Sequence, residues 1–339
     1  MYQSSFPSYP LADLHAHLST SINPSMYWQI AHAQGFKLPK KEYKDFIEYI
    51  MLSEEKRMSL NDYFKTIYHP ILDKLSSGTY ALETSVHQIL SNAYRNNITL
   101  LELRLNPMKH NMGGEHDLDH IIMAALRGME RALLEFEHLS SGIIFCLARE
   151  FSYEQNEIIV QKAIKYHHRG VIAIDIAGPA TSTFKLTDYK ILFQKARMKG
   201  LHVTVHSGET NDANDLWDVI ENISPDRIGH GIKVINDKKL IQEIVKRDIV
   251  LEICPISNLA TNAIKNKEEL KLILHTLLEN KVKFTINTDW PEIISNAYLW
   301  QQYKMLKEEK ILTEDQLKRC TDIAMERTFI PSSGLDAYL

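Results

Sequence analysis

Eight short apolar runs, separated by segments of helical periodicity, constrain the fold more than any other feature. Such runs are typical of strands buried on both faces, and helices between them indicate parallel βαβ units. The runs are residues 11–17, 98–107, 142–149, 171–179, 202–206, 227–231, 249–255 and 283–289, and intervening helical segments include 121–137, 155–168, 187–199 and 238–247. The alternation predicts an α/β fold, a (β/α)₈ TIM barrel. The competing doubly wound sheet lacks the support of a glycine-rich phosphate loop.

A long helical stretch interrupts the alternation after the first run. Residues 23–97 show no strand pattern, and residues 296–339 are typical of helices packed outside a barrel. No internal repeat, low-complexity tract or linker is evident. We therefore predict one domain over residues 1–339, with a helical, lid-like insertion at about 23–97.

One helix of this insertion has an apolar, partly aromatic face. Residues 59–68 begin with a serine suited to the N-cap, and one face then carries Leu60, Tyr63, Phe64 and Ile67. Core packing is the usual role of such a face. A hydrophobic lid over the barrel mouth is the alternative.

Composition excludes several classes of protein. The net charge of −4, from 39 basic and 43 acidic residues, and the lack of an arginine-rich block argue against a nucleic-acid-binding surface. Three scattered cysteines without a C-x-x-C pair predict neither a disulfide framework nor a thiolate zinc site. The chain has no secretory signal pattern, and no apolar run reaches the ~20 residues that span a bilayer. We expect a soluble, cytoplasmic protein that binds neither membrane nor nucleic acid.

Polar residues collect at the carboxyl ends of the predicted strands. These ends meet at one face of a (β/α)₈ barrel, where active sites lie. Three histidines and a carboxylate form a nitrogen and oxygen ligand set that suits zinc, with iron, cobalt or manganese as possible substitutes. The strand-end residues are His15, His17, Glu102, Arg104, Asp175, His206, Glu209, His230 and Asp289.

Some of these residues have structural alternatives. His230 between two glycines is either a turn histidine or a catalytic one, and we favour catalysis because Gly229 and Gly231 leave room around the ring. Asp289 is either a metal ligand or the cap of the next helix.

Three further polar residues are given structural roles. Glu102 and Arg104 share one strand face, and we favour an ion pair that supports the barrel mouth over a catalytic role for them. His202 has the same strand parity as His206, and we expect it to pack inside the barrel.

Six motifs, in order, carry a resemblance to a known family. They are HAH at 15–17, IDIAG at 174–178, TVHSGE at 204–209, RIGHG at 227–231, CPISN at 254–258 and NTDWP at 287–291. Together they resemble the adenosine deaminase family, over residues 11 to about 331. The resemblance implies a zinc-bearing (β/α)₈ barrel of the metal-dependent amidohydrolase group, which hydrolytically removes ammonia from adenine-containing compounds.

The resemblance also implies roles for individual residues. Glu209 would carry a proton to the ring nitrogen beside the attacked carbon, which lets the ring accept hydroxide without full negative charge. His230 would orient or deprotonate the attacking water, with Asp289 accepting a second hydrogen bond from it. Gly178 would offer backbone to the purine edge. One Zn²⁺ per chain would be bound by His15, His17, His206 and Asp289.

The chain departs from the family where substrate is recognised. Ser19 stands where adenosine-specific members of the family have an acidic residue near the ribose. Trp290 stands directly after Asp289, where the family usually has a second aspartate that contacts the far ring nitrogen of the purine. Pro179 stands where an acidic residue often follows the glycine. A missing buried hydrogen-bond partner changes discrimination between substrates. The predicted substrate-binding residues are Gly178, Ser19, Trp290, Asp175 and Phe64.

These observations predict a zinc-dependent aminohydrolase of adenosine or a related 6-aminopurine nucleoside, nucleotide or base. One alternative is an amidohydrolase acting on an N6-substituted adenine compound or a cyclic amide. The other is a purine-binding homologue without turnover, which the intact Glu209 and His230 argue against. The H-x-E and P-C-x-x-C signature of cytidine-deaminase-type editors is absent. The oligomeric state stays open.

Overall fold

Parallel strands that pair in the order of the sequence form the frame of the molecule. The structure, a computed structural model, describes residues 7–53, 56–111, 117–179, 181–182, 184–209 and 213–332. The strands are β1 (Leu11–His17), β2 (Ile98–Leu105), β3 (Ser140–Ala148), β4 (Val171–Ala177), β5 (His202–Ser207), β6 (Arg227–His230), β7 (Val250–Ile253) and β8 (Phe284–Ile286). The predicted (β/α)₈ barrel is confirmed.

The ring closes just beyond the end of β8. Ala16 pairs in parallel with Asp289, whose N–H donates to the His15 carbonyl at 2.7 Å and whose carbonyl accepts from the His17 N–H at 3.3 Å. Residues predicted to bind metal therefore also supply the backbone hydrogen bonds that join the first and last strands. Their side chains are fixed at this seam by the fold itself.

Helices surround the barrel and fill the space between β1 and β2. They begin at residues suited to the task, such as Ser152, which forms a reciprocal capping box with Gln155. The α-helices are α1 (Leu18–Ser21), α2 (Pro24–Gln34), α3 (Tyr43–Ile50), α4 (Leu60–Tyr63), α5 (Asp73–Leu75), α6 (Thr79–Arg95), α7 (Leu118–Glu135), α8 (Tyr153–Lys165), α9 (Lys190–Met198), α10 (Ala213–Asn222), α11 (Lys238–Lys246), α12 (Pro255–Ala260), α13 (Lys267–Glu279), α14 (Leu299–Glu308) and α15 (Glu314–Arg327). Short 3₁₀ turns occupy Lys109–Asn111, His167–Arg169, Leu186–Tyr189 and Ile232–Asn236.

The insertion between β1 and β2 is helical, as the sequence indicates. The segment expected to be one helix at 59–68 is α4 followed by a π-helical turn, Phe64–Leu72, which contains Pro70. Proline lacks the N–H that an α-helix interior needs, and widened π turns are common at functional sites. The assignment of one domain with a lid-like insertion stays a prediction.

The expected ion pair between Glu102 and Arg104 is wrong. Both side chains are buried inside the barrel. Glu102 pairs with Arg227, whereas Arg104 pairs with Asp175 at 2.9 Å and with Glu252. Side chains two residues apart on a strand are parallel neighbours, so each reaches towards other strands across the ring.

The expected interior position of His202 is also wrong. Its side chain is half exposed and stacks on Phe329 with 4.5 Å between ring centroids. His202 is the first residue of β5, so it lies at the amino end of the strand, outside the closed interior.

Two general expectations can be set beside the structure. Cys146, Cys254 and Cys320 are buried free thiols. Among the described residues, no helix combines the length and apolar character that crossing a membrane requires.

Candidate active site

The predicted metal ligands converge at the carboxyl ends of the strands. His15 and His17 come from the end of β1, His206 from β5, and Asp289 from the loop after β8. Nε2 of His17 lies 3.0 Å from Nε2 of His206 and 3.5 Å from Oδ1 of Asp289, which is 3.7 Å from Nε2 of His15. Atoms that share one ion through bonds of about 2.0–2.2 Å have separations of this size.

Carboxylates behind two of these histidines fix which ring nitrogen faces the centre. Nδ1 of His15 lies 2.8 Å from Oε2 of Glu252, and Nδ1 of His206 lies 2.8 Å from Oδ2 of Asp175. Because a carboxylate accepts, Nδ1 of His15 carries the proton and its Nε2 keeps a lone pair, and the 2.8 Å contact with Asp175 favours the same tautomer in His206. This is the arrangement of metal-binding histidines.

The electrostatics of the centre favour neutral imidazoles. Burial lowers the pKa of His15 and of His17 well below the usual range, and the neighbouring histidines and Arg104 act in the same direction. Burial alone would raise the pKa of Asp175, but His206 and Arg104 hold it well below the usual range. An ionised Asp175 therefore faces Nδ1 of His206.

Asp289 is held by a side chain from the next element. Ser257 of α12 donates to Oδ2 of Asp289 at 2.6 Å, while Oδ1 faces the histidines. Burial raises the pKa of Asp289 to about 6. Asp289 and His230 both adopt left-handed backbone conformations, with φ of +61° and +64°. Such strained positions cluster at functional sites.

Gly229 makes room for the ring of His15, a predicted metal ligand. A Cβ at Gly229 would lie 2.9 Å from Cε1 of His15. The room predicted around His230 is therefore used by the ring of His15.

Asn258 connects the two predicted catalytic residues. Its Nδ2 lies 3.4 Å from Oε1 of Glu209 and 3.1 Å from Nδ1 of His230, whose Nε2 is 3.6 Å from Oε2 of Glu209. Because the Glu209 oxygen accepts, the Asn258 amide faces both residues as a donor, so Nδ1 of His230 accepts and its Nε2 carries the proton. Burial raises the pKa of Glu209 and lowers that of His230.

A cavity of about 710 Å³ opens onto this centre. Such a volume suits a whole small-molecule ligand. Ser19, Phe64, Gly178 and Trp290 line it, as do the catalytic candidates, whereas Asp175 lies behind His206 with no exposed surface and does not line it. Asp175 instead contacts His206, a predicted metal ligand, because it sits one layer deeper in β4.

Trp290 forms part of an aromatic wall with the insertion. Its ring lies 4.9 Å from that of Tyr63, 6.1 Å from Phe64 and 6.3 Å from Tyr68, and only 4% of the residue is exposed. The tryptophan therefore packs against the insertion and also lines the cavity.

Several residues of the site were not predicted from the sequence to have a role in it. Ser257 and Asn258 belong to a quoted motif, and their position after β7 was the available signal. Arg149 follows β3 and donates to the carbonyls of Gly178 at 3.1 Å and His206 at 2.5 Å. Nothing in the pattern of the insertion indicated that Asp73 and His69 line the cavity.

The residues present fit a divalent metal. Nε2 of the buried His15 has no hydrogen-bond partner among the described residues, which is expensive unless an ion or water satisfies it. His15, His17 and Asp289 offer ligand atoms that lie within 4.8 Å of one another, as do His15, His206 and His230. Cys254 also approaches His230 and Asp289, but burial raises the pKa of its thiol well above the usual range, which disfavours a thiolate ligand.

Comparisons with known proteins agree with this site. The family model for adenosine deaminase matches residues 10–337. The adenosine deaminase of Clostridium kluyveri is 30% identical over 327 residues, covering 96% of this chain and 91% of its own. The Arabidopsis N6-mAMP deaminase superposes with a TM-score of 0.81 at 22% identity, covering 98% and 96% of the two chains. A zinc-bound amidohydrolase from Burkholderia ambifaria gives 0.84 at 17% identity, covering 98% and 89%. The chain belongs to the adenosine deaminase family, metal-dependent hydrolases that deaminate adenosine-related purines.

Proposed function

We propose that this chain hydrolyses the exocyclic C6–N bond of adenosine or a closely related purine nucleoside, with one Zn²⁺ held by His15, His17, His206 and Asp289. Water adds to the carbon that bears the amino group, the C–N bond breaks, and ammonia leaves. The convergence of these four residues beside Glu209 is the observation that carries the proposal. A bound divalent ion supplies a hydroxide-like nucleophile at neutral pH.

Glu209 is proposed as the residue that moves protons to and from the purine ring. It lies at the cavity wall, and burial raises the pKa of its carboxyl, which favours the protonated acid form. Protonating the ring nitrogen beside the attacked carbon lets the ring accept electrons from the nucleophile. After addition, the Glu209 carboxylate is placed to take the proton of the newly added hydroxyl group and pass it to the departing amine, so the ring keeps the first proton and the water supplies the one that leaves with ammonia.

His230 is proposed to orient the attacking water. Because Asn258 donates to Nδ1, the Nε2 proton of His230 points towards the reacting centre as a hydrogen-bond donor. This favours orientation over deprotonation, which would need a lone pair on Nε2. Asp289, which faces the same side, is proposed as the acceptor for the water proton.

Backbone and apolar groups are proposed to hold the base. The carbonyl of Gly178 accepts from Arg149, so its N–H is the group it can offer to the purine edge. A Cβ at Gly178 would lie 2.7 Å from Oε2 of Glu150, and the φ of +87° favours glycine. Trp290 and Phe64 supply an apolar wall for the face of the base, and the insertion that carries Phe64 covers the bound ligand.

Ammonia release by the zinc-loaded protein tests the proposal. The panel contains adenosine, deoxyadenosine, adenine, AMP and N6-methyladenosine, and methylamine is measured beside ammonia for the last. We expect turnover of adenosine, and a loss of about 10²–10⁴-fold in kcat for Glu209→Gln with the metal retained. Glu243→Gln on the outer surface, where Glu243 bonds Arg247, is the matched control and should match the wild type. Silence on every 6-aminopurine would reject the proposal.

A further inference from the structure

A chain of hydrogen bonds lines the cavity on the side formed by β1, β2 and the insertion. Ser19 Oγ donates to Oδ1 of Asp73 at 3.0 Å, and Nδ1 of His69 lies 2.7 Å from Oδ2 of Asp73. All three residues line the cavity. Ser19 and Asp73 are buried, with 1% and 3% exposure, whereas the His69 side chain is 38% exposed. His69 is therefore the member of this group that a ligand can reach.

The geometry fixes what His69 offers. Since the Asp73 carboxylate accepts, Nδ1 of His69 carries a proton, and Nε2 is the ring nitrogen left to meet a ligand. The ring stacks on Phe64, with centroids 5.3 Å apart and an angle of 27° between planes. Both constraints restrict rotation of the imidazole. An oriented imidazole in a cavity wall is suited to accept a hydrogen bond from a hydroxyl group.

Asn106 provides an independent sign of a missing partner. It is 6% exposed, lines the same cavity, and its Oδ1 accepts from the N–H groups of Met108 and Lys109. Its Nδ2 has no hydrogen-bond partner within the part of the chain that the structure describes. A buried donor without a partner is costly, so a ligand oxygen in the cavity is its natural acceptor.

The charge on this side of the cavity disfavours a phosphate. Lys109 lies 2.5 Å from Oε1 of Glu150, so its charge is already compensated, and Asp73 adds a negative charge. Hydroxyl groups both donate and accept, and they match a wall that offers an imidazole acceptor and an amide donor. Ser19 and Asn106 follow β1 and β2, whereas Gly178 and Glu209, which are proposed to contact the base, follow β4 and β5.

We infer that Asp73, His69 and Asn106 form a subsite for the sugar hydroxyls of a nucleoside, and that this subsite makes the chain select nucleosides over free bases and nucleotides. The inference rests on the proposed function and specifies its substrate class. His69 and Asn106 contact the sugar. Asp73 acts through His69 and is a positioning residue, and Ser19 holds Asp73.

The test compares pairs of ligands that differ by the sugar, namely adenosine with adenine and inosine with hypoxanthine, with AMP added to test for a phosphate. For the wild type and His69→Gln, kcat/KM is measured with adenosine, adenine and AMP, and dissociation constants are measured by calorimetry for inosine and hypoxanthine. His69→Gln should lower kcat/KM for adenosine at least ten-fold while changing the adenine value less than two-fold. The same variant should raise the dissociation constant of inosine by a similar factor and leave that of hypoxanthine unchanged. Asp73→Asn should give the same pattern, and Asn106→Ala a smaller one.

A matched control is available on the outside of the insertion. His87 of α6 lies 2.7 Å from Glu135 of α7. His87→Gln should leave unchanged both the ratio of kcat/KM for adenosine to that for adenine and the ratio of the inosine and hypoxanthine dissociation constants. If Asp73→Asn fails to fold, the partly exposed His69 still carries the test.

Each contrary result has a distinct meaning. Equal losses for nucleoside and base, or no loss for either, would overturn the subsite while leaving the deaminase function standing. A wild type that prefers AMP over adenosine, and loses that preference in His69→Gln, would replace the hydroxyl with a phosphate and overturn the inference. If no purine is turned over, the proposed function fails, and the inosine and hypoxanthine affinities still decide the subsite.

Discussion

Arg104 donates from Nη1 to Oδ2 of Asp175 at 2.9 Å, with both side chains fully buried inside the barrel. The same guanidinium donates from Nη2 to Glu252. One arginine thus links the two carboxylates that face Nδ1 of His15 and Nδ1 of His206, two of the proposed metal ligands. The proposed metal centre is therefore supported by a buried charge network that spans β2, β4 and β7.

Removing one carboxylate of this network should lower the affinity for metal while the fold is retained. Asp175→Asn removes the charge and replaces one carboxylate oxygen with an NH2 group that cannot accept, so Arg104, the His206 N–H and Nδ1 of His206 can no longer all be satisfied. We expect zinc affinity to fall about 10–100-fold, measured by competition with a chromophoric chelator. Asp119→Asn, which removes a surface partner of Lys162 and Lys165, should leave the affinity unchanged. An Asp175→Asn protein with wild-type zinc affinity would show that this carboxylate does not support the site.

Asn258 should matter for turnover although it need not touch substrate. Asn258→Leu preserves volume but removes the donor that lies between Glu209 and His230. The proton on His230 would then be free to move to Nδ1, and we expect kcat to fall by roughly 10²-fold. Steady-state kinetics with saturating nucleoside provide the measurement. Asn222→Leu, on the outer face of α10, is the control, and an unchanged kcat in Asn258→Leu would refute the proposed tautomer.

Restoring the acid that family members carry after the metal-ligand aspartate should damage this chain. Trp290→Asp removes a ring that packs on Tyr63 and buries a carboxylate among aromatic side chains. We expect the free energy of unfolding to fall by about 3–5 kcal/mol, measured with denaturant, and kcat/KM to fall as well. Trp290→Phe keeps an aromatic ring and should lose much less. A stable, faster Trp290→Asp enzyme would contradict this account of the wall.

His110 should make stability depend on pH. Burial lowers its pKa to about 4, while Asp73 opposes the shift and Lys109 adds to it. Between about pH 6.5 and 4 the unfolded chain binds a proton that the folded chain does not, so the free energy of unfolding falls as the pH falls. The loss approaches about 3 kcal/mol below pH 4.

Removing this imidazole isolates its contribution. His110→Asn should flatten the profile, so the difference in unfolding free energy between the metal-free wild type and the variant should change across this window and level off above pH 7. Urea unfolding from pH 4.5 to 7.5 measures it. A difference that is constant with pH would mean that His110 does not titrate in this way.

The sequence predicted the barrel and the site's chemistry because both depend on the ends of strands. His15, His17 and His206 were identifiable since each lies at the carboxyl end of an apolar run, and in a barrel these ends must converge. Gly229 belongs to a quoted motif, but its role for the ring of His15 depends on packing across the barrel, which no local pattern reveals.

Other parts of the site needed the structure. Parity along β2 placed Glu102 and Arg104 on one face correctly, but their partners are set by neighbouring strands. Asp175 lies at the strand end that the sequence indicates, but it is buried one layer below the cavity wall and so does not contact substrate as predicted. Asp73 and His69 lie in a helical insertion without strand register, so their approach to the cavity follows only from how that insertion folds over the barrel.

Family membership makes this chain a metal-dependent deaminase of adenosine-related purines, and the central claim is that one ion at the His15, His17, His206 and Asp289 centre is required for it. The most direct measurement titrates zinc into the metal-free protein while ammonia release from adenosine is followed. The account predicts that turnover rises from near zero and reaches a plateau at one zinc per chain. Turnover that persists without metal, or that needs a second ion, would contradict it.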